Sequence, residues 1–260
     1  MRKKNIGTMS KRLLIAGLAL IASSASLAAE LKIYAGAGLR PAIEKLASQY
    51  QQQTGDTLLV EYGGSGQILA RYQASGQGDV FIPGSMMYFS KLGTEVDHIL
   101  PLVSHTPVLG VYKDKANDIR RFEDLTKPGI RVGLGDPQAM ALGRTAETIL
   151  DASGVGAAVR ANTIMRAATV KQLAMYLKQG DVDAAIIGRT DAVLNADTIR
   201  MIELPASWYQ PEVVAAGVLA ASKDQAAATR FVDWLSRPDS LAVFTSLGFL
   251  AAPANALTAE

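Results

Sequence analysis

The sequence predicts an α/β fold with mainly parallel sheets, and three observations predict it. Short apolar runs alternate with segments of helical periodicity, the links between them are short and marked by Gly or Pro, and no internal repeat, low-complexity tract or long linker breaks the pattern. Residues 31–34 read as the first strand. A helix follows over 41–53, with Ile43, Leu46, Ala47 and Tyr50 on one face and Pro41 in the first turn, where a missing N–H costs nothing. Residues 57–62 form a strand, 68–75 a helix and 79–82 a short strand. Strands are expected over 107–112 and 130–134, a helix over 142–152, and a helix over 170–179 that Gly180 ends. The apolar runs 184–187 and 213–220 are strands, and helices over 225–235 and 238–247 close the chain. Segments near 107–112 and 204–214 suggest crossings between two lobes. Lobe one is then built from residues 30–108 plus 209–260, and lobe two from 109–208.

Residues 1–29 have a different character. Arg2, Lys3, Lys4, Lys11 and Arg12 precede an apolar run over 13–22, and a small-residue tail over 23–29 follows. This is the layout of a cleavable secretory signal, with an apolar core too short for a comfortable membrane span. Removing it changes the charge. The chain holds 26 Lys and Arg against 24 Asp and Glu. Without residues 1–29 the balance is 21 against 24, about −3. Nothing in that balance points to nucleic acid. The chain has no Cys, which excludes a lipid-anchored lipoprotein, a disulfide framework and thiol chemistry. Stability must come from burial, and about 230 residues suffice for a large core.

Four strand-to-helix junctions carry the functional signal. The first is Tyr34-Ala-Gly-Ala-Gly38-Leu-Arg-Pro41. Its Gly-x-Gly start lacks the third glycine and the downstream acid of a dinucleotide fingerprint, so a nicotinamide site is rejected. The second, Tyr62-Gly-Gly-Ser65-Gly-Gln67, exposes backbone N–H groups and one hydroxyl at a helix start. Gln67 stands where a hydrolase elbow needs Gly, and neither His98 nor His105 sits in a recognisable triad context. The third junction, Gly135-Asp-Pro137 to Gly143, sets the amide of Leu142 at the next helix opening. At the fourth, Thr169 is placed to cap the helix that begins at Val170. Each junction also serves as a tight turn or an ordinary cap. Together they offer neutral donors outside the carboxyl ends of strands, where ligands of open α/β sheets bind. Such donors hold a compact oxyanion without a buried cation.

These residues resemble the periplasmic molybdate-binding proteins of ABC importers, a branch of the type II solute-binding fold. The resemblance covers nearly all of residues 31–250. It rests on Tyr34-Ala-Gly-Ala-Gly-Leu39, Tyr62-Gly-Gly-Ser-Gly66 with Leu69-Ala-Arg71, Gly78-Asp-Val-Phe-Ile82, Gly135-Asp-Pro137 with Gly143, Gly188-Arg-Thr-Asp-Ala192, and the closing Phe231-Val-Asp-Trp-Leu235, Pro238 and Gly248-Phe249. It implies two hinged lobes with a tetrahedral oxyanion between them, held by two Ser hydroxyls, two backbone amides and a Tyr hydroxyl. By position these fall on Gly38, Ser65, Leu142, Val170 and Gly188. Gly38 and Gly188 carry no hydroxyl, so two donors are missing. Either backbone N–H groups and water replace them, or the next residue, Arg189, reaches in, or the ligand is larger than molybdate.

The resemblance implies a periplasmic binding protein for molybdate or tungstate, usually monomeric, that closes on its ligand and delivers it to an inner-membrane ABC permease. It implies no catalysis, no cofactor and no metal held as a cation. The alternatives are the same fold with sulfate, phosphate, a phosphonate or a small organic acid, or an enzyme on this architecture. Deaminases of this two-lobe fold attach their cofactor through a Cys, and this chain has none.

Overall fold

The computed structural model describes residues 28–254 and 256 of the chain. The expected signal segment lies outside the described residues apart from Ala28 and Ala29. In chain order the elements are β1 (Glu30–Gly36), α1 (Arg40–Thr54), β2 (Thr57–Gly63), α2 (Ser65–Ser75), β3 (Val80–Ile82), β4 (Val96–His105), β5 (Pro107–Tyr112), β6 (Val132–Gly135), α3 (Ala141–Ala152), α4 (Gly156–Ala161), β7 (Thr163–Ala167), α5 (Val170–Gln179), β8 (Ala184–Gly188), α6 (Arg189–Leu194), β9 (Ile199–Ile202), β10 (Glu212–Leu219), α7 (Gln225–Leu235), α8 (Pro238–Ser246) and β11 (Leu250–Ala251).

Two sheets divide these strands. The first runs β11-β4-β10-β3-β1-β2, and the second β7-β6-β8-β5-β9. Strand β4 belongs to the first and β5 to the second, with only Thr106 between them. The chain returns between Ile202 and Glu212. Each sheet has a core on each face. Ile33, Ala35, Val80 and Ile82 pack under α1, α7 and α8, whereas Tyr34 and Phe81 point to the opposite face and meet Ile68, Leu69 and Tyr72 of α2. That split follows from the two-residue period of a strand. In the second sheet Leu109, Val132 and Ile186 face α3 and α4, while Val108, Ala185 and Ile187 face Leu173 and Leu177 of α5.

The sheets are mixed rather than mainly parallel, which corrects the expectation. Pairs β1–β2, β1–β3, β6–β7 and β6–β8 are parallel. Strand β10 runs antiparallel to β3 and β4, β11 to β4, and β5 to β8 and β9. The pairs β1–β2 and β6–β7 are joined through helices, which bring the chain back to its starting edge. Strands β4 and β5 have one residue between them and no room for such a crossover. Strand β4 escaped the sequence reading because Pro101 and the charged residues near its start break the alternation. Its pairing with β10 absorbs the irregularity through two register shifts.

Candidate functional site

The register of the first sheet makes its parallel strands end level. Gly36 lies opposite Gly63, and Ala35 opposite Ile82. The first two junctions therefore open side by side. Gly38 is exposed in the short 3-10 turn Ala37–Leu39 that leads into α1, and a Cβ there would meet nothing within 4 Å. Ser65 is the first residue of α2, which starts three residues earlier in the chain than the expected helix over 68–75. Gln67 Oε1 accepts from Gly64 N–H at 3.0 Å and stiffens the turn. Gly84 N–H donates to Ser65 Oγ at 3.0 Å, which leaves the hydroxyl proton free to donate elsewhere. A Cβ on Gly36 would stand 3.2 Å from the same Gly84 nitrogen, so Gly84 touches both junctions. The sequence reading did not single out Gly84; its only signal was Pro83-Gly84-Ser85 directly after an apolar strand.

In the second sheet Gly135 lies opposite Ala167, and Gly133 opposite Ala185. Asp136 N–H donates to the Ala167 carbonyl at 2.9 Å and ties the third junction to the fourth. Leu142 is the second residue of α3. Val170 is the first of α5, whose expected cap is present, since Thr169 Oγ1 accepts from Gln172 N–H at 3.2 Å. First-turn amides such as those of Leu142 and Val170 have no acceptor within their own helix and remain available to an anion. Gly143 permits the close approach at the third junction, because a Cβ there would lie 2.4 Å from the Asp136 carbonyl oxygen. Arg144 donates to the Pro137 carbonyl at 3.3 Å. Arg40 stacks on the Tyr62 ring at 4.2 Å.

Gly188 ends β8 opposite Pro107. A side chain at this position has no room. Its Cβ would stand 2.7 Å from His105 Nε2 and 3.2 Å from Asp191 Oδ2. His105 comes from the end of β4 and so reaches position 188 from the other sheet. Its Nε2 lies 3.2 Å from Thr190 Oγ1, and its ring leans on Phe249 at 5.5 Å. Burial pushes the His105 imidazole down to about 4, so it is neutral at pH 7. Burial pushes the Asp191 carboxyl up to about 6, against the opposing field of Lys171.

Arg189 is engaged elsewhere. Its N–H donates to the Thr106 carbonyl at 2.9 Å, and its Nε reaches Thr106 Oγ1 at 3.4 Å. Its guanidinium pairs with Glu203, and the side chain is 15 % exposed. Thr106 forms one crossing between the sheets and Glu203 begins the other, so Arg189 ties the two crossings together. The turn at Gly248 packs on the same helix, where a Cβ would lie 2.8 Å from Val193 Cγ2.

The folded chain thus gathers Gly38 with Ser65 at one strand edge and Leu142 with Val170 at another. Gly188 and Arg189 lie at the crossings. A groove of about 440 Å³ lined by Lys113, Ala192, Ile199 and Met201 includes none of them. Among the described residues no group of three His, Cys, Asp or Glu is placed to hold a metal ion, and no helix is long and apolar enough to cross a membrane.

Residues 31–250 match the family described as bacterial extracellular solute-binding protein. A relative from Haemophilus influenzae, named only as a binding protein, is 43 % identical over 227 residues, covering 86 % of this chain and 92 % of its own length. The solved substrate-binding domain of a molybdenum ABC transporter from Clostridium difficile superposes with a TM-score of 0.78 at 23 % identity, covering 87 % of this chain and all of that one. The periplasmic molybdate-binding protein of Azotobacter vinelandii gives 0.72 at 21 % identity over 86 % of this chain and all of its own. At these identities the two structures establish the two-lobe fold. The chain belongs to the bacterial extracellular solute-binding proteins.

Proposed function

We propose that this protein is the periplasmic binding component of an ABC importer, exported by the signal at residues 1–29. It closes two lobes on a tetrahedral oxyanion, molybdate or tungstate, and presents the closed form to a membrane permease. The first lobe carries the sheet of β1 to β4, β10 and β11, and the second the sheet that begins at Pro107, two residues before the boundary after residue 108 that the sequence suggests. Ser65 Oγ and the amides near Gly38, Leu142 and Val170 carry the binding. The observation that carries this reading is the gathering of neutral donors at level strand ends. Donors of this kind stabilise a compact dianion, and they lack the nucleophile–base pair that hydrolysis requires. The protein acts as a binder and not as an enzyme.

One observation favours a second ligand class on the same fold. His105 fills the space at Gly188, so the fifth donor of the molybdate pattern has no place there. Sulfate, phosphate, a phosphonate or a small organic acid is the alternative. A thermal-shift screen of residues 30–260 against these anions separates the two, because a ligand of the folded state alone raises the midpoint. A shift with molybdate and tungstate but not with sulfate supports the first reading. A shift with another anion alone replaces it with the second, and no shift with any anion refutes both.

A further inference from the structure

The Asp191 carboxyl is an oddity in this fold. It is enclosed by protein on most sides, and its oxygens keep contact with solvent. Neither of its oxygens has a hydrogen-bond or ion-pair partner among the described residues; only its backbone carbonyl is used, by Asn195. A largely enclosed carboxylate with no protein donor, whose oxygens still meet solvent, is open to a ligand that can donate to it. Its Oδ2 converges with His105 Nε2 on the point where a side chain of residue 188 would begin. It also lies within the field of Lys171, the neighbour of the Val170 amide.

We propose that Asp191 is a specificity-determining residue of the anion site, and that its carboxyl shares one proton with the bound oxyanion in place of the hydroxyl missing at position 188. The proposal rests on the oxyanion reading above. A carboxylate only accepts hydrogen bonds and a fully ionised oxyanion only accepts them, so the two repel unless a proton stands between them. With molybdate or tungstate, Asp191 takes that proton from solvent, and binding consumes one H⁺. With hydrogenphosphate the ligand brings the proton, and binding consumes none. The raised affinity of this carboxyl for a proton in the empty site lowers the cost of the first case.

Few other charged or titratable groups lie on the elements packed around Asp191. Neutral His105 faces it from β4, and Lys171 from α5. Arg189 of its own helix is spent on Glu203 and Thr106. Arg200 of β9 turns to the Ile119 carbonyl. Strand β8 and the turn at Gly248 and Phe249 contribute none, and the one titratable residue of β5, Tyr112, stands at the far end of that strand from Pro107. His105 is therefore the competing proton acceptor that shares this point.

The test is calorimetric titration of the mature protein with molybdate, and separately with phosphate, in buffers of different ionisation enthalpy between pH 6 and 8.5. The expected result is uptake of one proton per molybdate above pH 7, with affinity falling about tenfold per pH unit, and no uptake with hydrogenphosphate. Asp191→Asn supplies an N–H donor without a proton equilibrium. It should bind molybdate with a flat pH profile and lose preference for hydrogenphosphate over sulfate. The proton count on the unmutated protein stands even if the variant folds poorly. Molybdate binding without proton uptake overturns the proposal and leaves the oxyanion reading intact. So does uptake that survives in Asp191→Asn and vanishes in His105→Gln. Absence of heat and of thermal shift with every oxyanion instead sinks the oxyanion reading itself.

Discussion

Restoring the missing hydroxyl at position 38 is the sharpest test of the site. Gly38→Ser adds one O–H donor at the first junction, and its Cβ would meet nothing within 4 Å. The glycine conformation there is not one that L side chains avoid, so the substitution also restricts the unfolded chain and should be neutral to slightly stabilising, by about 0.4–1 kcal/mol. A hydrogen bond to a charged acceptor contributes about 1.5–3 kcal/mol. The expected gain in molybdate affinity is therefore roughly ten- to a hundredfold. The same repair at the other empty position must fail. A Cβ on Gly188 would lie 2.7 Å from His105 Nε2, and that ring is backed by Phe249 and held at Thr190. Gly188→Tyr should cost about 1–3 kcal/mol by overpacking, seen as a fall of several degrees in the melting midpoint. Isothermal titration and thermal melts of both variants measure these effects. A folded Gly38→Ser protein that binds no tighter removes position 38 from the ligand shell. A Gly188→Tyr protein as stable as the parent removes His105 from the space assigned to it.

Gly143→Ala should be more damaging than its size suggests, because its Cβ would stand 2.4 Å from the Asp136 backbone oxygen and must push the start of α3 away. A midpoint lowered by several degrees and weakened anion binding are expected, with Gly38→Ala as the harmless control. Asp183 is 1 % exposed and receives the Arg131 backbone N–H at 2.9 Å and its guanidinium at 2.7 Å. Burial opposes its ionisation, but Arg131 outweighs it and holds the carboxyl below its ordinary range. Its contribution is thus full above about pH 4 and lost as pH falls through the lower folded value. Urea unfolding of Asp183→Ala should show a deficit of about 2–3 kcal/mol at pH 7 that shrinks toward pH 2. Arg189→Ala releases Glu203 and Thr106, and should lower the midpoint by a few degrees while leaving anion binding in place. Abolished binding in a folded protein would instead put the guanidinium on the ligand.

Much of this architecture was legible because local chemistry and tertiary structure agree. The small-residue loops end strands where the register places them, Gly180 stops α5 in the left-handed conformation at φ 76°, and Thr169 caps the same helix. Strands β7 and β9 and the single-turn helices were not legible. Ile164 of edge strand β7 is exposed, and Arg200 interrupts the apolar run of β9, so neither carries a clean alternation. The surroundings of Gly188 escaped for a different reason. Gly188-Arg-Thr-Asp-Ala192 was visible as a motif, but its meaning depends on His105, whose contact with Thr190 spans 85 residues. Arg189 attracted notice by its charge, and only the fold shows that Glu203 neutralises it.

Strand β10 stands between β3 and β4, although more than a hundred residues separate it in the chain from either neighbour. The second sheet is drawn from one uninterrupted stretch, Pro107 to Ile202, and can close as soon as that stretch exists. The first sheet cannot. Until residues 212–219 arrive, β3 and β4 each present a bare row of backbone N–H and C=O groups, which is a template for pairing with another chain. This topology predicts assembly from the middle of the chain outward, with the late insertion of one strand across a long loop closure as the expected slow step. A chain cut short before that strand is the form most exposed to aggregation.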